Sequence, residues 1–327
     1  VAAMNEAIAP GAAAAPARTR ARRARRRPVR WHIGVFLAPA LLVYVGVMVL
    51  PLLETLRLAF LRHADTGYVY DGMANFARLL GDPLWSHAFW NALRNNTWFF
   101  LIHLLVMVPV AIALAALLSL PRLRGSGFYR TALFMPTMLS YVIVGFVWKL
   151  ILSPLWGITP RLMRDVGLGA FFHPWLGREE SALTTLGLIS VWQWLGIPML
   201  LTYAAMLAIP DEILEASELD GATGLAQFFR IKLPLLWPTI GVVAILTFVN
   251  NFNSFDLIYT AQGALAGPDF STDILGTLLY RTFFGAQLQL GDPNMGAAIA
   301  TMMLLIILGV VCAYLFLVQR RLSRYEL

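Results

Sequence analysis

Lysine is almost absent from this chain: among 327 residues only Lys149 and Lys232 carry it. Both are followed by leucine, so no G-x-x-x-x-G-K-[ST] loop exists to hold nucleotide phosphates with its lysine and backbone amides. There is one cysteine, Cys312. It excludes an intrachain disulfide, leaves the redox compartment open, and reads as a small buried or lipid-facing residue. The five histidines (His32, His63, His87, His103 and His173) are scattered, with no H-E-x-x-H, no Cys/His cluster and no G-x-S-x-G. Metal hydrolysis and nucleophile-elbow chemistry have no residues to work with. Charge is scarce too, at 13%, against about 25% for a soluble domain.

What is present is apolar. Hydrophobic residues make up 59% of the chain, in runs too long for the core of a soluble domain; roughly 18 or more consecutive apolar residues read as a membrane span. Six such runs occur, near residues 33–53, 97–118, 131–151, 183–207, 235–255 and 295–317. Each is about long enough to cross a hydrocarbon layer of roughly 30 Å. Pro109, Pro136 and Pro198 fall inside them, which a helix bundle tolerates because neighbouring helices take up the freed carbonyls. Residues 1–30, with eight arginines from Arg18 to Arg30, read as a disordered basic cytoplasmic tail. A basic segment before an apolar one also resembles a signal peptide, but the first run is long and no A-x-A site follows it, which favours a retained first helix.

The net charge of +7 belongs with this hydropathy rather than with nucleic acid, because basic residues flanking apolar helices orient them. With the N-terminus inside, the cytoplasmic segments hold sixteen Lys and Arg and the longer outer loops eight. Both termini are then cytoplasmic. The outer loops, near 54–96, 152–182 and 256–294, are expected to form short helices and turns.

One cytoplasmic segment breaks the pattern. Residues 209–238 open with Asp211, Glu212, Glu215, Glu218 and Asp220, acids where such loops normally gain bases. Pro210 suits a helix start, with acids favoured in the first turn. Glu215 and Glu218 share a face. Gly221 permits a chain reversal. Gly224 and Ala226 keep the next short helix small at its start, Phe228 and Phe229 give it an apolar side, and Leu233-Pro234 leads into the next span. This describes a helical hairpin beneath the membrane, able to pass force to a span, or else a solvated amphipathic loop.

The segment resembles the EAA loop of binding-protein-dependent ABC importer permeases, whose pattern is E-A-A, three residues, G, nine residues, then I-x-L-P. Here Glu215-Ala216-Ser217, Gly221 and Ile231-Lys232-Leu233-Pro234 stand at that spacing, with Asp220, Ala222 and Pro238 matching the carbohydrate branch. The departure is Ser217, where the family carries a second alanine. Phe255-Asp256-Leu257-Ile258-Tyr259, Gly267-Pro268, Tyr280 and Gly296-Ala297-Ala298-Ile299-Ala300 extend the likeness to permeases of the maltose and glycerol-phosphate type. The stretch from Gln262 to Pro268 is looser than the compact T-x-G-G-P of that branch.

The resemblance implies an all-α integral membrane protein, a six-helix type I importer permease of MetI-like fold spanning 31–327, in a bacterial inner membrane. It implies a non-catalytic subunit without a cofactor of its own. ATP and Mg would be bound by two copies of a partner ATPase, beside a second permease subunit and an extracytoplasmic solute-binding protein. The hairpin would be the coupling helix, with Glu215 pairing a basic residue of the ATPase. The solute would be a sugar or sugar derivative; a non-sugar solute or an ion-coupled secondary transporter are the alternatives.

For the substrate path, the end of the fifth run is the place to look. Asn250, Asn251, Asn253 and Asp256 are costly against lipid, and Phe252 and Phe255 lie between them. Asn250 and Asn253 share a face, on which Asp256 falls one turn later if the helix continues. Amides beside aromatic rings suit a sugar; helix–helix hydrogen bonding within the bundle is the other reading. Gln193, beside Trp192 and Trp194, is a second candidate. His103, inside the second run, reads first as a packing residue.

Overall fold

The computed structural model describes residues 31–64, 67–120, 123–287 and 290–316. The basic segment 1–30, read above as a cytoplasmic tail, lies outside the described residues. The chain divides into two units, Val1–Leu50 and Pro51–Leu327. In the first, the helix Trp31–Tyr44 passes into a π turn, Val45–Val49. None of its side chains from Val35 onward is buried within this chain, as fits a helix that meets lipid or another subunit.

Among the described residues three helices are long and apolar enough to cross a membrane: Val35–Leu58, Pro83–Leu118 and Pro293–Tyr314. Three bent pairs pass the same test together. Ser126–Met138 meets Tyr141–Ile151 at 95°, Glu179–Trp194 meets Gly196–Leu207 at 46°, and Leu225–Leu235 meets Trp237–Phe252 at 65°. Taking each pair as one span gives the six expected from sequence.

The bends have local causes. Pro136 sits in a 3-10 turn, Met135–Met138, after which Leu139 is extended and the Ser140 hydroxyl accepts from Val142 N–H to start the next helix. The freed Leu139 carbonyl accepts from Gln193 Nε2 at 2.9 Å, so a neighbouring span satisfies what the bend leaves open. Pro198 follows the second break, and Pro234 and Pro238 flank the third. Gly196 is needed where it stands: a Cβ there would lie 2.8 Å from the Phe134 Cα and 3.0 Å from the Leu133 carbonyl. Two bent spans meet backbone to backbone at this point.

Lipid tails are as apolar as leucine, so helices in a bilayer associate through close packing and polar bonds. The second unit is built that way. Ala92, Ala111, Ala115, Ala297 and Ala298 are fully buried at helix contacts, together with Phe89, Phe99, Leu186, Met199, Met295 and Ile299.

The chain is helical as expected, with a short strand pair added. After the first span Leu61–Ala64 pairs antiparallel with Gly67–Tyr70, Leu61 opposite Tyr70. The rings of His63 and Tyr68 meet across the strands at 5.4 Å. Tyr68-Val69-Tyr70 has the β-branched and aromatic content that favours a strand, in a run too short to show a period. The second helix also begins 14 residues before the predicted span, at Pro83 rather than residue 97. Asp82 caps it, accepting from Leu84 and Trp85 N–H.

Candidate functional site: the hairpin, the mid-span cavity and the outer loop

The segment 209–238 is a helical hairpin. Its first helix, Asp211–Leu219, starts after Pro210 with Asp211 and Glu212 in its first turn, where the helix dipole favours negative charge. It closes in a Schellman motif: Gly221 takes φ 80°, its N–H bonds the Glu218 carbonyl, and Ala222 N–H bonds the Ser217 carbonyl at 2.9 Å. The return arm comprises Leu225–Gln227, a π turn Phe228–Lys232 holding Ile231, and Leu233–Leu235 with Pro234 inside it. The break before the next span falls at Leu236, two residues beyond Pro234.

Ser217, the departure from the family pattern, is what ties the arms together. Its hydroxyl donates to the Leu214 carbonyl at 2.7 Å and accepts from Gln227 Nε2 at 2.9 Å, while Gln227 also donates to Leu214. Both side chains are buried. Glu215, Ala216, Glu218 and Asp220 are exposed, Ala222 is half-buried, and Leu219 and Leu225 stand out at 91% and 76% exposure. The hairpin is tied together from within and presents acids and two leucines outward.

A second arrangement lies between the spans. Asn250 and Asn251 line a cavity of about 80 Å³ with His103, Tyr141, Ser190 and Thr247. His103 Nδ1 lies 2.8 Å from the Phe99 carbonyl and Nε2 lies 3.0 Å from the Ser190 hydroxyl. A carbonyl can only accept, so Nδ1 carries the proton and Nε2 accepts from Ser190. Asn251 Nδ2 donates to the Thr247 carbonyl at 2.7 Å, and its buried Oδ1 has no partner.

The other path candidates lie elsewhere. The helix ends at Phe252 and a new one starts at Asp256, so Asp256 does not continue the Asn250–Asn253 face; the chain turns between them. Phe252 is packed in the core against Phe248, with ring centroids 4.3 Å apart, and offers no open ring face. Asn253 is exposed, its amide on the Val249 carbonyl, and borders a separate cavity with Phe255 and Tyr280. Gln193 is buried at the 95° bend, and Trp192 packs edge-on against Trp148.

Sequence reading missed a rack of asparagines on the second helix. Asn91 Nδ2 donates to the Phe270 carbonyl, and Asn95 Nδ2 to the carbonyls of Ser271 and Asp273. Asn96 reaches two ways: Nδ2 to the Asn251 carbonyl, and Oδ1 from Leu275 N–H at 2.8 Å. Three asparagines at i, i+4 and i+5 in a membrane helix were the available signal. Asp273 of the loop they hold forms a buried ion pair at 2.7 Å with Arg281 of the following helix, Leu275–Phe284. Outside the spans, Tyr259 bonds the Tyr280 hydroxyl, and that bond raises its phenol above the ordinary value.

Residues 84–324 match the family described as binding-protein-dependent transport system inner membrane component. The chain belongs to this family. The permease is thus a multi-pass inner-membrane protein and the non-catalytic transmembrane component of an ABC transport system that works with a binding protein. It is 30% identical over 278 residues to the "Probable ABC transporter permease protein YurN" of Bacillus subtilis (strain 168), covering 84% of this chain and 91% of that one. It is 30% identical to the lactose transport system permease protein LacF of Rhizobium radiobacter, over 76% of this chain and 82% of LacF. In fold it resembles a chain of a bacterial ABC transporter that imports the acidic polysaccharide alginate, with TM-score 0.73 at 21% identity, covering 89% of this chain and 96% of that one.

Proposed function

We propose that the permease imports a sugar or oligosaccharide delivered by an extracytoplasmic binding protein, along a path that includes Asn250 and Asn251. The observation that carries this reading is the mid-span cavity, with the unpaired buried Oδ1 of Asn251 beside the Asn250 amide and the His103–Ser190 pair. A buried acceptor without a donor costs about 1–3 kcal/mol. A sugar hydroxyl, donor and acceptor at once, relieves that cost, whereas an apolar solute leaves it standing. At about 80 Å³ the cavity is far below the roughly 300–1,000 Å³ of a ligand pocket, so this conformation is closed around the path. LacF, named for lactose, supports the same class.

The transporter pairs this chain with a second permease subunit and two ATPase copies, both termini of the chain in the cytoplasm. The acidic hairpin docks on an ATPase, with Glu215 against a basic residue, Leu219 and Leu225 seated in an apolar cleft, and Gly221 at the reversal. Nucleotide-driven motion of the ATPase then reaches the fifth span through Ile231–Pro234 and the 65° bend. Family membership sets aside the ion-coupled alternative; a non-sugar solute remains the competing reading.

Uptake into proteoliposomes holding the full transporter decides between them. Labelled di- to pentasaccharides should accumulate, and Asn251→Leu should cut that uptake about tenfold, the equivalent of one lost hydrogen bond, with ATPase assembly intact. Accumulation of amino acids or phosphate and of no saccharide would overturn the sugar reading. For the hairpin, Glu215→Arg should leave insertion unchanged and lower co-purification of the ATPase. Undiminished recovery and uptake would remove its coupling role.

A further inference from the structure

A second, roomier cavity lies off the path proposed above. It measures about 970 Å³ and lies between the head of the second helix, the first outer loop and the loop before Ile274. On the proposed orientation it faces the outside. Its lining mixes rings with planar hydrogen-bonding groups: Trp85 and Phe270, with His63, His87, Asn91 and Asp269.

The fixed charges around it are largely spent on one another. Arg62 pairs with Asp71 at 3.5 Å, Arg78 with Asp292 at 3.7 Å, and Arg281 with Asp273 at 2.7 Å. Left over are the exposed imidazole of His87 and the carboxylate of Asp269, which have no hydrogen-bond partner among the described residues, and His63, which makes only its ring contact with Tyr68. This balance does not select a strongly charged ligand.

The wall that carries Asp269 and Phe270 is built at a cost. Both residues have left-handed backbone, φ 43° and 54°, which disfavours residues with a Cβ by about 1–2 kcal/mol each. Asn91 and Asn95 hold the strand of loop behind them, and the Arg281 guanidinium lies 4.9 Å from the Phe270 ring. A strained segment fixed this firmly on the wall of a cavity points to a role for the wall.

We infer that this outer cavity is a second carbohydrate site, which holds the end of an oligosaccharide before it reaches the mid-span path. A neutral saccharide has C–H faces for an indole and hydroxyls for carboxylate and imidazole groups, all of which line this cavity. Its volume suits several sugar units, where the mid-span cavity admits none in this state. The inference rests on the sugar reading given above.

The test uses the complete transporter in nanodiscs, without binding protein, on an array of neutral and acidic di- to pentasaccharides. Wild type should capture neutral oligosaccharides. Trp85→Ala should weaken capture about tenfold, the equivalent of one ring stack and its water exclusion, and Asp269→Asn, at an exposed position, should weaken it even where Trp85→Ala fails to fold. Asn251→Leu should retain capture while cutting uptake about tenfold. Equal capture by all four proteins, or none by wild type, overturns the outer site. If saccharide uptake persists in either case, the sugar reading itself still stands. Should Trp85→Ala instead weaken recovery of the liganded binding protein with capture unchanged, the cavity is a protein socket and the inference fails.

Discussion

The hairpin at 209–238 and the loop at 263–273, inner and outer on the proposed orientation, both reverse the chain between helices, yet they are held in opposite ways. The hairpin is closed by neighbours: Gly221 with its Schellman bonds, and Ser217 with Gln227 ten residues away. The outer loop is held by asparagines 176 to 179 residues distant and by the Arg281–Asp273 pair. One draws its bonds from within its own segment; the other draws them from the second helix. The difference suits the tasks proposed for them. A lever must stay rigid while the bundle moves, and a receiving surface must keep its shape only in the assembled protein.

If the outer loop depends on tertiary support, the largest effect should come from its buried pair, whose side chains are 5% and 1% exposed. Arg281→Met leaves Asp273 as an uncompensated buried charge and should destabilise the assembled transporter by about 3–5 kcal/mol. Thermal unfolding followed by size-exclusion chromatography reads this, and Arg281→Met with Asp273→Leu should recover most of the loss. A double variant no better than the single one would mean that the pair does more than compensate itself.

The next effect should come from Asn96, which links the fifth span to the outer loop. Asn96→Ala leaves Leu275 N–H without its partner and the Asn251 carbonyl with backbone donors alone, and should cost about 1–3 kcal/mol. Hydrogen exchange at residues 270–280 should rise and exchange at 211–227 should not. Equal protection in both regions would erase the distinction between them.

The smallest effects belong to the hairpin. Gly221→Ala, at φ 80°, should cost about 1–2 kcal/mol. Ser217→Ala restores the family residue and removes one arm-to-arm bond, for about 1 kcal/mol. Global melting should barely move in Ser217→Ala, while limited proteolysis between 219 and 225 should quicken. If proteolysis is unchanged, the Ser217–Gln227 bond does not stiffen the lever.

The hairpin was legible because its chemistry is local: proline, first-turn acids and a glycine at the reversal all lie within thirty residues. Its inner bond was not, since nothing in the sequence marks Gln227, ten residues on, as the partner of Ser217. At the substrate path the sequence pointed to Asn250 and Asn251 and also to Gln193, Phe252 and Asp256. Only the fold separates them, because a polar residue in a span is equally suited to a cavity, a bend or a core. Gln193 went to the bend at Leu139, Phe252 to the core, and Asp256 beyond a break that periodicity did not signal.

What the sequence determined alone was the solvent of this protein and its kind. Long uncharged runs demand lipid, neither lysine stands in a phosphate-binding loop, and one spaced loop marks an importer permease. The tertiary structure decided which polar side chains meet and which cavities exist, because in a bilayer helices associate through small-residue contacts and distant hydrogen bonds. Those interactions depend on which faces come together, and hydropathy along the chain does not record that.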